Sequence, residues 1–319
     1  MQNAVNFKKA LNLINSSHKI ILSFHKKPDG DALGAVCAMS YFLESQKKDY
    51  FIFCSDKILR QYTFLSFPKI FETDPARAKI FNPDLIILLD TGDSRYSCLP
   101  ALDEFSCPKI NIDHHISNEL FGQVNIVMPE LSSTAEIIYN FFRFAGHRIA
   151  KEEATGLLAG LIFDTGNFSN ANTFFSTLQA ASDLVRYGAR LPQVNEFTVR
   201  NKSVSALQLW GKVLMRLSYN EKYKTAVTII TQEDIKKYKV DDEAVAGVAN
   251  FLNNLSEVNA TIVLKEEADG LIKGSMRTNR DDVDLSLLAR IFGGGGHAKA
   301  AGFTISGRLS KTESGWKII

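Results

Sequence analysis

Histidine and aspartate side chains occur together in one short stretch of the sequence, residues 25–34 (HKKPDGDALG). His25, Asp29 and Asp31 follow the apolar run 20–24, which has the pattern of a buried parallel strand, and a helical pattern follows them. In open α/β sheets, ligands bind at the edge formed by the carboxyl ends of the strands. The three side chains are therefore candidates for a binding site at such an edge.

The types and spacing of these side chains suit a divalent metal ion. Pro28 and Gly30 predict a tight turn, which would aim Asp29 and Asp31 at one point. Two carboxylates that close repel each other unless a cation lies between them. A histidine with carboxylates and without a thiolate favours a hard ion such as Mn²⁺ or Mg²⁺ over structural zinc. Taken alone, the stretch is equally well explained as a polar loop with capping aspartates.

Three further apolar segments end in side chains of the same kinds. The acids and histidines that follow them are Asp90 after residues 85–89, Asp113, His114 and His115 after residues 109–112, and Asp164 after residues 152–163. Each acid alone is most simply a cap or turn residue. Four apolar segments that all end in this way predict a shared metal centre.

The elements that must position this centre alternate between strand and helix patterns. Strands are predicted at 20–24, 50–54, 85–89 and 109–112, and helices at 35–43 and 134–146, with residues 152–163 either a helix or a buried strand. This order predicts an α/β domain whose parallel sheet carries helices on both faces.

The length of 319 residues suggests two domains. We expect a metal-binding catalytic domain at 1–188, a linker and connecting helix at 189–217, and a smaller α/β substrate-binding domain at 218–319. The active-site cleft is expected between the two domains. In the second domain, the pattern predicts strands at 225–230, 260–264, 272–276 and 303–305, helices at 242–255 and 285–292, and a tail at 311–319.

A second group of candidate residues lies near the C-terminus. Four glycines, residues 293–296, precede His297, and Arg277 ends a nearby predicted strand. Glycines let the backbone approach a ligand and direct N–H groups at an anion. Arginine, histidine and free amides together suit a phosphate or a carboxylate. The alternative is a flexible linker between a helix and a strand.

Composition narrows the functional classes. The net charge of +2 argues against a large non-specific nucleic-acid surface but permits a local basic pocket. The four cysteines form no C-x-x-C pair, which is typical of reduced cytosolic thiols. The N-terminus lacks the apolar core of a signal peptide, and no apolar run approaches the ~20 residues that span a bilayer. We expect a cytoplasmic protein with no membrane partner.

The motifs resemble those of a known superfamily. HKKPDGDALGA, LLDTGD, DHH and FDTGNF are similar, in order, to the four N-terminal motifs of the DHH phosphoesterases. FGGGGHAKAAG, with the upstream GSMR, resembles the subtype-1 DHH-associated C-terminal domain. A two-domain chain of this length is most similar to the stand-alone oligoribonuclease and pAp-phosphatase branch.

The resemblance implies a role for each matching residue. His25, Asp29 and Asp90 would hold one metal ion, and the second would be held by Asp31, Asp90, His114 and Asp164. Asp113 would orient an imidazole, and His115 would face the scissile phosphate. The substrate's phosphate or terminal nucleotide would be held by Arg277, His297 and the amides of Gly295 and Gly296.

The resemblance also implies a reaction. We expect an enzyme with two divalent cations, Mn²⁺ first and Mg²⁺ as the alternative, that releases 5′-mononucleotides from short single-stranded RNA and the 3′-phosphate from pAp. The alternatives are hydrolysis of pApA, the product of cyclic di-AMP, and a catalytically silent nucleotide-binding module. The oligomeric state stays open, a homodimer included.

Overall fold

The apolar runs of the N-terminal half form one parallel sheet in the computed structural model of the chain, which describes residues 2–198, 202–245, 247–296, 298–312 and 315–319. The chain divides into two units, Met1–Asn201 and Lys202–Ile319. The strands of the first unit are β1 (Lys19–Phe24), β2 (Asp49–Phe53), β3 (Phe71–Glu72), β4 (Leu85–Leu89), β5 (Lys109–Asp113) and β6 (Val124–Val127). Its helices are α1 (Gln2–Ser16), α2 (Gly30–Ser45), α3 (Pro75–Phe81), α4 (Thr134–Phe144), α5 (Lys151–Asp164), α6 (Phe175–Arg186) and α7 (Leu191–Thr198), with 3₁₀ turns at Arg60–Tyr62, Ser94–Tyr96 and Leu102–Glu104.

The strand order of this sheet is β3-β2-β1-β4-β5-β6, and every neighbouring pair is parallel. The order reverses between β1 and β4, which pair from Ile20 with Leu85 to Phe24 with Leu89. In doubly wound sheets, a crevice forms outside the carboxyl ends of the strands where the order reverses. His25 and Asp90 directly follow these two strands.

Both faces of the sheet are covered, because successive strand side chains point to opposite sides. Ile20, Leu22 and Phe24 of β1 lie in the larger apolar core, together with side chains of α1, α2, α4, α5 and α6. Ile21 lies in a smaller core on the other face, with Ala78 of α3. The predicted parallel sheet with helices on both faces is confirmed.

Helices α2 and α5 approach each other closely through glycines. A Cβ on Gly34 would lie 2.3 Å from the carbonyl oxygen of Gly156, and a Cβ on Gly160 would lie 2.6 Å from Oδ1 of Asp31. Real Cβ atoms do not come this near to other atoms. The close packing therefore requires glycine, and it places Asp31 of α2 directly against α5.

The second unit is a smaller α/β domain around a mixed sheet. Its strands are β7 (Ser218–Asn220), β8 (Thr225–Ile230), β9 (Ala260–Glu266), β10 (Leu271–Arg277), β11 (Gly295–Gly296), β12 (Ala300–Ser306), β13 (Leu309–Thr312) and β14 (Gly315–Ile318). Its helices are α8 (Val204–Met215), α9 (Gln232–Tyr238), α10 (Asp242–Val245), α11 (Val248–Leu252) and α12 (Leu285–Ile291). The sheet order is β11-β12-β10-β9-β8-β7, in which β8 and β9 are parallel and the other neighbours antiparallel.

Two predictions for this unit are wrong. The helix expected at 242–255 is two short helices, α10 and α11, with Gly247 between them at a φ of +91°, which is incompatible with a continuous right-handed helix. The tail expected at 311–319 is part of the hairpin formed by β13 and β14. A hairpin this short leaves little periodicity in the sequence.

The segment predicted as a linker, residues 189–217, contributes to both units. Val194 of α7 is buried in the core of the first unit, and Leu209 and Val213 of α8 are buried in the second.

Within the described ranges, no helix combines the length and the apolar character that crossing a membrane requires.

Candidate metal centre

The first group of candidate ligands forms where β1 and β4 end. Nε2 of His25 lies 3.3 Å from Oδ2 of Asp90 and 3.8 Å from Oδ1 of Asp29. Nδ1 of the same ring lies 2.8 Å from the carbonyl oxygen of Lys26, so its N–H donates to the backbone. This bond fixes the ring with Nε2 towards the two carboxylates, as is usual for metal-binding histidines.

Asp90 occupies the centre of the cluster. Its backbone has a φ of +52°, a left-handed conformation that costs about 1–3 kcal/mol at a residue other than glycine. The carboxylate is buried and accepts a hydrogen bond from the Thr134 hydroxyl at 3.1 Å. It also lies 3.8 Å from Nε2 of His114 and 3.6 Å from Nδ1 of His115. Burial alone would raise the pKa of the Asp90 carboxyl. The neighbouring histidines, of which His25 has the largest effect, outweigh burial and hold the pKa of Asp90 well below its usual range.

The second group contains Asp31, His114 and Asp164, whose nearest ligand atoms lie within 4.8 Å of one another. Nε2 of His114 lies 3.1 Å from Oδ2 of Asp164 at the end of α5. Asp31 is completely buried and accepts hydrogen bonds from the amides of Thr134 at 2.7 Å and Ala135 at 2.9 Å. These amides begin α4, so the positive end of that helix stabilises the carboxylate.

Asp29 and Asp31 lie in different ligand groups, which agrees with the family resemblance but not with the single point that the predicted turn suggested. Asp29 is the N-cap of α2 and accepts from the amides of Asp31 and Ala32, which leaves it beside His25. Asp31 lies one residue into α2 and turns towards α4 and α5. Gly30 begins this helix, where a Cβ would lie 2.7 Å from the Phe163 ring. Glycine is therefore required at position 30 by the close packing of α2 against Phe163 of α5.

The charges of the cluster suit a divalent cation. Burial and the nearby carboxylates raise the pKa of both Asp31 and Asp164 well above the usual range. Burial also lowers the pKa of His114, which favours the neutral imidazole that can bind a metal. Crowded carboxylates with neutral imidazoles and no thiolate form a donor set for a hard divalent ion, and a cation would relieve their repulsion.

His115 is held by a buried acid beside these groups. Its Nδ1 lies 2.7 Å from Oδ1 of Asp113, which is completely buried. Burial disfavours the charged ring, but the hydrogen bond to Asp113 and the charge of Asp90 outweigh it and raise the pKa of His115 to about 9. The other oxygen of Asp113 accepts from Nδ2 of Asn118 at 2.6 Å.

The sequence predictions missed Asn118 and Thr134 as members of the cluster. Thr134 directly follows Ser133, the N-cap of α4, and is the first residue of that helix. Asn118 lies in a loop between the polar residues Ser117 and Glu119, and no periodicity marks it.

The candidate substrate-binding residues belong to the second unit. Arg277 ends β10; its Nε donates to Oδ1 of Asn250 at 2.8 Å, and its Nη1 donates to the carbonyl oxygen of Met276 at 2.9 Å. Gly295 and Gly296 are exposed and form the edge strand β11, which pairs with β12. They are therefore an ordered part of the sheet. His297 lies outside the described residues.

Comparison with known proteins gives two family matches and several similar chains. Residues 19–161 match the model of the DHH family, N-terminal domain, and residues 213–314 match that of the DHHA1 domain. The chain is 31% identical to the bifunctional oligoribonuclease and PAP phosphatase NrnA of Thermus thermophilus, over 90% of this chain and 84% of that protein. It is 27% identical to the cyclic-di-AMP phosphodiesterase GdpP of Geobacillus thermodenitrificans, over 92% of this chain but only 46% of that protein.

A solved structure agrees with these matches. The crystal structure of an exopolyphosphatase-related protein from Bacteroides fragilis superposes with a TM-score of 0.86 at 25% identity and covers 94% of this chain and 90% of that one. The resemblance read from the sequence motifs is confirmed: the chain belongs to the DHH family and carries a DHHA1 domain in its second unit.

Proposed function

We propose that this protein is a metal-dependent phosphoesterase that hydrolyses short oligoribonucleotides to 5′-mononucleotides and converts pAp to AMP. The observation that carries the proposal is the pair of adjoining ligand groups around Asp90, one on each side of a single buried carboxylate. The similarity to the oligoribonuclease and PAP phosphatase of Thermus thermophilus supports the choice of substrates.

Two divalent cations fit these groups, and we propose Mn²⁺, with Mg²⁺ as the alternative. The residues that would hold one ion are His25, Asp29 and Asp90, and those that would hold the other are Asp31, Asp90, His114 and Asp164. When bound, such ions lower the pKa of a water molecule and neutralise charge on phosphoryl oxygens.

The remaining residues would act directly on the substrate. With Nδ1 of His115 held by Asp113, we propose that the ring stabilises a phosphoryl oxygen as negative charge develops there. In the second unit, we propose that Arg277, the amides of Gly295 and Gly296, and His297 bind the substrate's phosphate or terminal nucleotide. An arginine held by hydrogen bonds at Nε and Nη1 is suited to this role.

A second candidate is hydrolysis of pApA, which the similarity to a cyclic-di-AMP phosphodiesterase favours. That relative is about twice as long as the part that matches this chain. We therefore do not assign the complete activity of that relative to this protein. A catalytically silent nucleotide-binding module is disfavoured by the complete set of candidate ligands. The cytoplasmic location and the homodimer stay predictions.

A kinetic comparison tests the proposal. The purified protein is incubated with end-labelled RNA of two to five nucleotides, with pAp and with pApA, each in Mn²⁺, in Mg²⁺ and in EDTA. We expect metal-dependent release of mononucleotides from RNA and of AMP from pAp. Faster turnover of pApA than of both others would favour the second candidate, and nucleotide binding without any turnover would favour the silent module.

A further inference from the structure

The side-chain amide of Asn118 contacts several groups at the edge of the metal centre. Its Nδ2 lies 2.6 Å from Oδ2 of Asp113, 2.8 Å from Oδ1 of Asn111 and 3.3 Å from the carbonyl oxygen of Thr91. Its Oδ1 accepts from the amide of Leu120 at 2.7 Å. Because the nitrogen faces only acceptors and the oxygen faces a donor, these contacts fix the orientation of the amide.

These bonds connect two of the strand ends that carry the candidate ligands. The carbonyl oxygen of Thr91, the residue after Asp90, also accepts from Nδ2 of the fully buried Asn111 at 3.0 Å. Asn118 therefore links the strained turn at Asp90, after β4, to Asp113 at the end of β5. The amide of Glu119 adds a bond of 2.9 Å to the carbonyl oxygen of Gly92 in the same turn.

The carboxylate of Asp113 is bound on both sides. Oδ1 contacts Nδ1 of His115 at 2.7 Å, and Oδ2 accepts from Asn118 at 2.6 Å. A carboxylate rotates about a soft terminal torsion unless both oxygens are held. The donor on Asn118 thus determines where Oδ1 points, and Oδ1 determines the orientation of the His115 ring.

We propose that Asn118 is a positioning residue that acts on His115 through Asp113. The proposal rests on the function proposed above, in which His115 faces the scissile phosphate. The backbone amide of Asn118 donates to the carbonyl oxygen of His115 at 3.1 Å, a bond that a side-chain substitution retains. The Asn118 side chain makes no described contact with the side chain of a candidate metal ligand. Its removal should therefore lower the rate of the chemical step and leave the binding of metal and substrate nearly unchanged.

Two variants and a matched control test this assignment in the full chain with Mn²⁺. Asn118→Ala removes the donor, and Asn118→Asp keeps the size but places an acceptor against the carboxylate of Asp113. Loss of such an outer hydrogen-bond partner costs about 10- to 100-fold, which we expect in kcat on a labelled diribonucleotide, with KM and Mn²⁺ affinity changed by less than about threefold. Asn125→Ala is the control, because Asn125 donates to the carbonyl oxygens of Leu120 and Gly122 in the same loop.

A double-mutant cycle shows whether the effect passes through Asp113. Once Asp113→Ala has removed the carboxylate, adding Asn118→Ala should cost less than about twofold in kcat, since coupled residues are not additive. If the kcat losses of Asn118→Ala and Asp113→Ala instead multiply in the double variant, the proposal is overturned. So would an Asn125→Ala variant that loses as much kcat as Asn118→Ala, because the order of the loop would then explain both.

A crystal structure of metal-free Asn118→Ala gives a readout that is independent of turnover. We expect the Asp113 carboxylate to rotate and its 2.7 Å contact with His115 to open. An unchanged His115 ring would refute the positioning role. If the wild-type protein hydrolyses none of the three substrates, the proposed function fails, and this structural comparison still decides the role of Asn118.

Discussion

Replacement of Asp164 by asparagine should make the metal-free protein more stable while weakening its metal binding. Candidate ligand atoms of Asp31 and Asp164 lie within 4.8 Å of each other, and two unit charges at this distance repel by about 3.5 kcal/mol at an effective dielectric constant of ~20. Part of this energy is avoided when one carboxyl takes up a proton. We therefore expect Asp164→Asn to raise the free energy of unfolding by about 1–3 kcal/mol at pH 7 in EDTA.

The pH dependence follows from the raised pKa of Asp164. Between the unfolded pKa of ~3.9 and the higher folded pKa, the folded protein holds more protons than the unfolded chain, so its stability falls as the pH rises. Asparagine removes this loss. The stability difference between the variant and the wild type should therefore be small near pH 4 and grow towards neutrality.

Added Mn²⁺ should reverse the order of stability. A ligand that binds only the folded state contributes about 2.7 kcal/mol at 100 times its Kd, and the variant, lacking one carboxylate, should gain less. Differential scanning calorimetry measures this as a shift in Tm of about 2–4 °C per kcal/mol for a unit of this size. Asp103→Asn, at an exposed position in the same unit, is the control. Lower stability of Asp164→Asn in EDTA at pH 7, or equal stabilisation of both proteins by Mn²⁺, would refute the reasoning.

Three further substitutions test other parts of the centre. Asp90→Ala should abolish turnover, because the Asp90 carboxylate lies between both ligand groups. Isothermal titration calorimetry should show that the variant binds at least one Mn²⁺ ion fewer than the two expected for the wild type. Binding of both ions by the variant would contradict the central role of Asp90. Gly160→Ala should weaken Mn²⁺ binding by about tenfold or more, because its Cβ would lie 2.6 Å from Oδ1 of Asp31, and an unchanged affinity would show that the helices separate freely. Arg277→Ala should mainly raise KM in steady-state kinetics, and an unchanged KM would count against substrate binding.

The strands that carry the candidate site were predictable because each combines a strong signal with a simple geometry. Residues 85–89 are buried on both faces of the sheet, so they form an uninterrupted apolar run, and the first polar residue after them is Asp90. Parallel strands deliver the residues at their carboxyl ends to one edge. Hence His25, Asp90 and His114 could be placed together before their distances were known.

The distribution of the side chains between two ligand groups was implied by the family resemblance but could not be predicted from the local pattern of the residues. It depends on Asp29 capping α2 while Asp31 reaches the start of α4, which lies 103 residues further along the chain. Such a pairing leaves no local pattern in the sequence. Asn118 escaped prediction for the same reason, because its importance lies in contacts that only the folded loop creates.

The capping of two helices explains how the cluster can keep its arrangement before any metal binds. Asp29 caps α2 and Asp31 binds the first two amides of α4, while the Ser133 hydroxyl accepts from the next amide at 3.1 Å. Helix amides at an N-terminus must find acceptors in any case. Their bonds to the two carboxylates offset part of the cost of burying negative charge beside Asp90. The same bonds that begin these helices thus hold candidate metal ligands in place, which should reduce the reorganisation needed when metal binds.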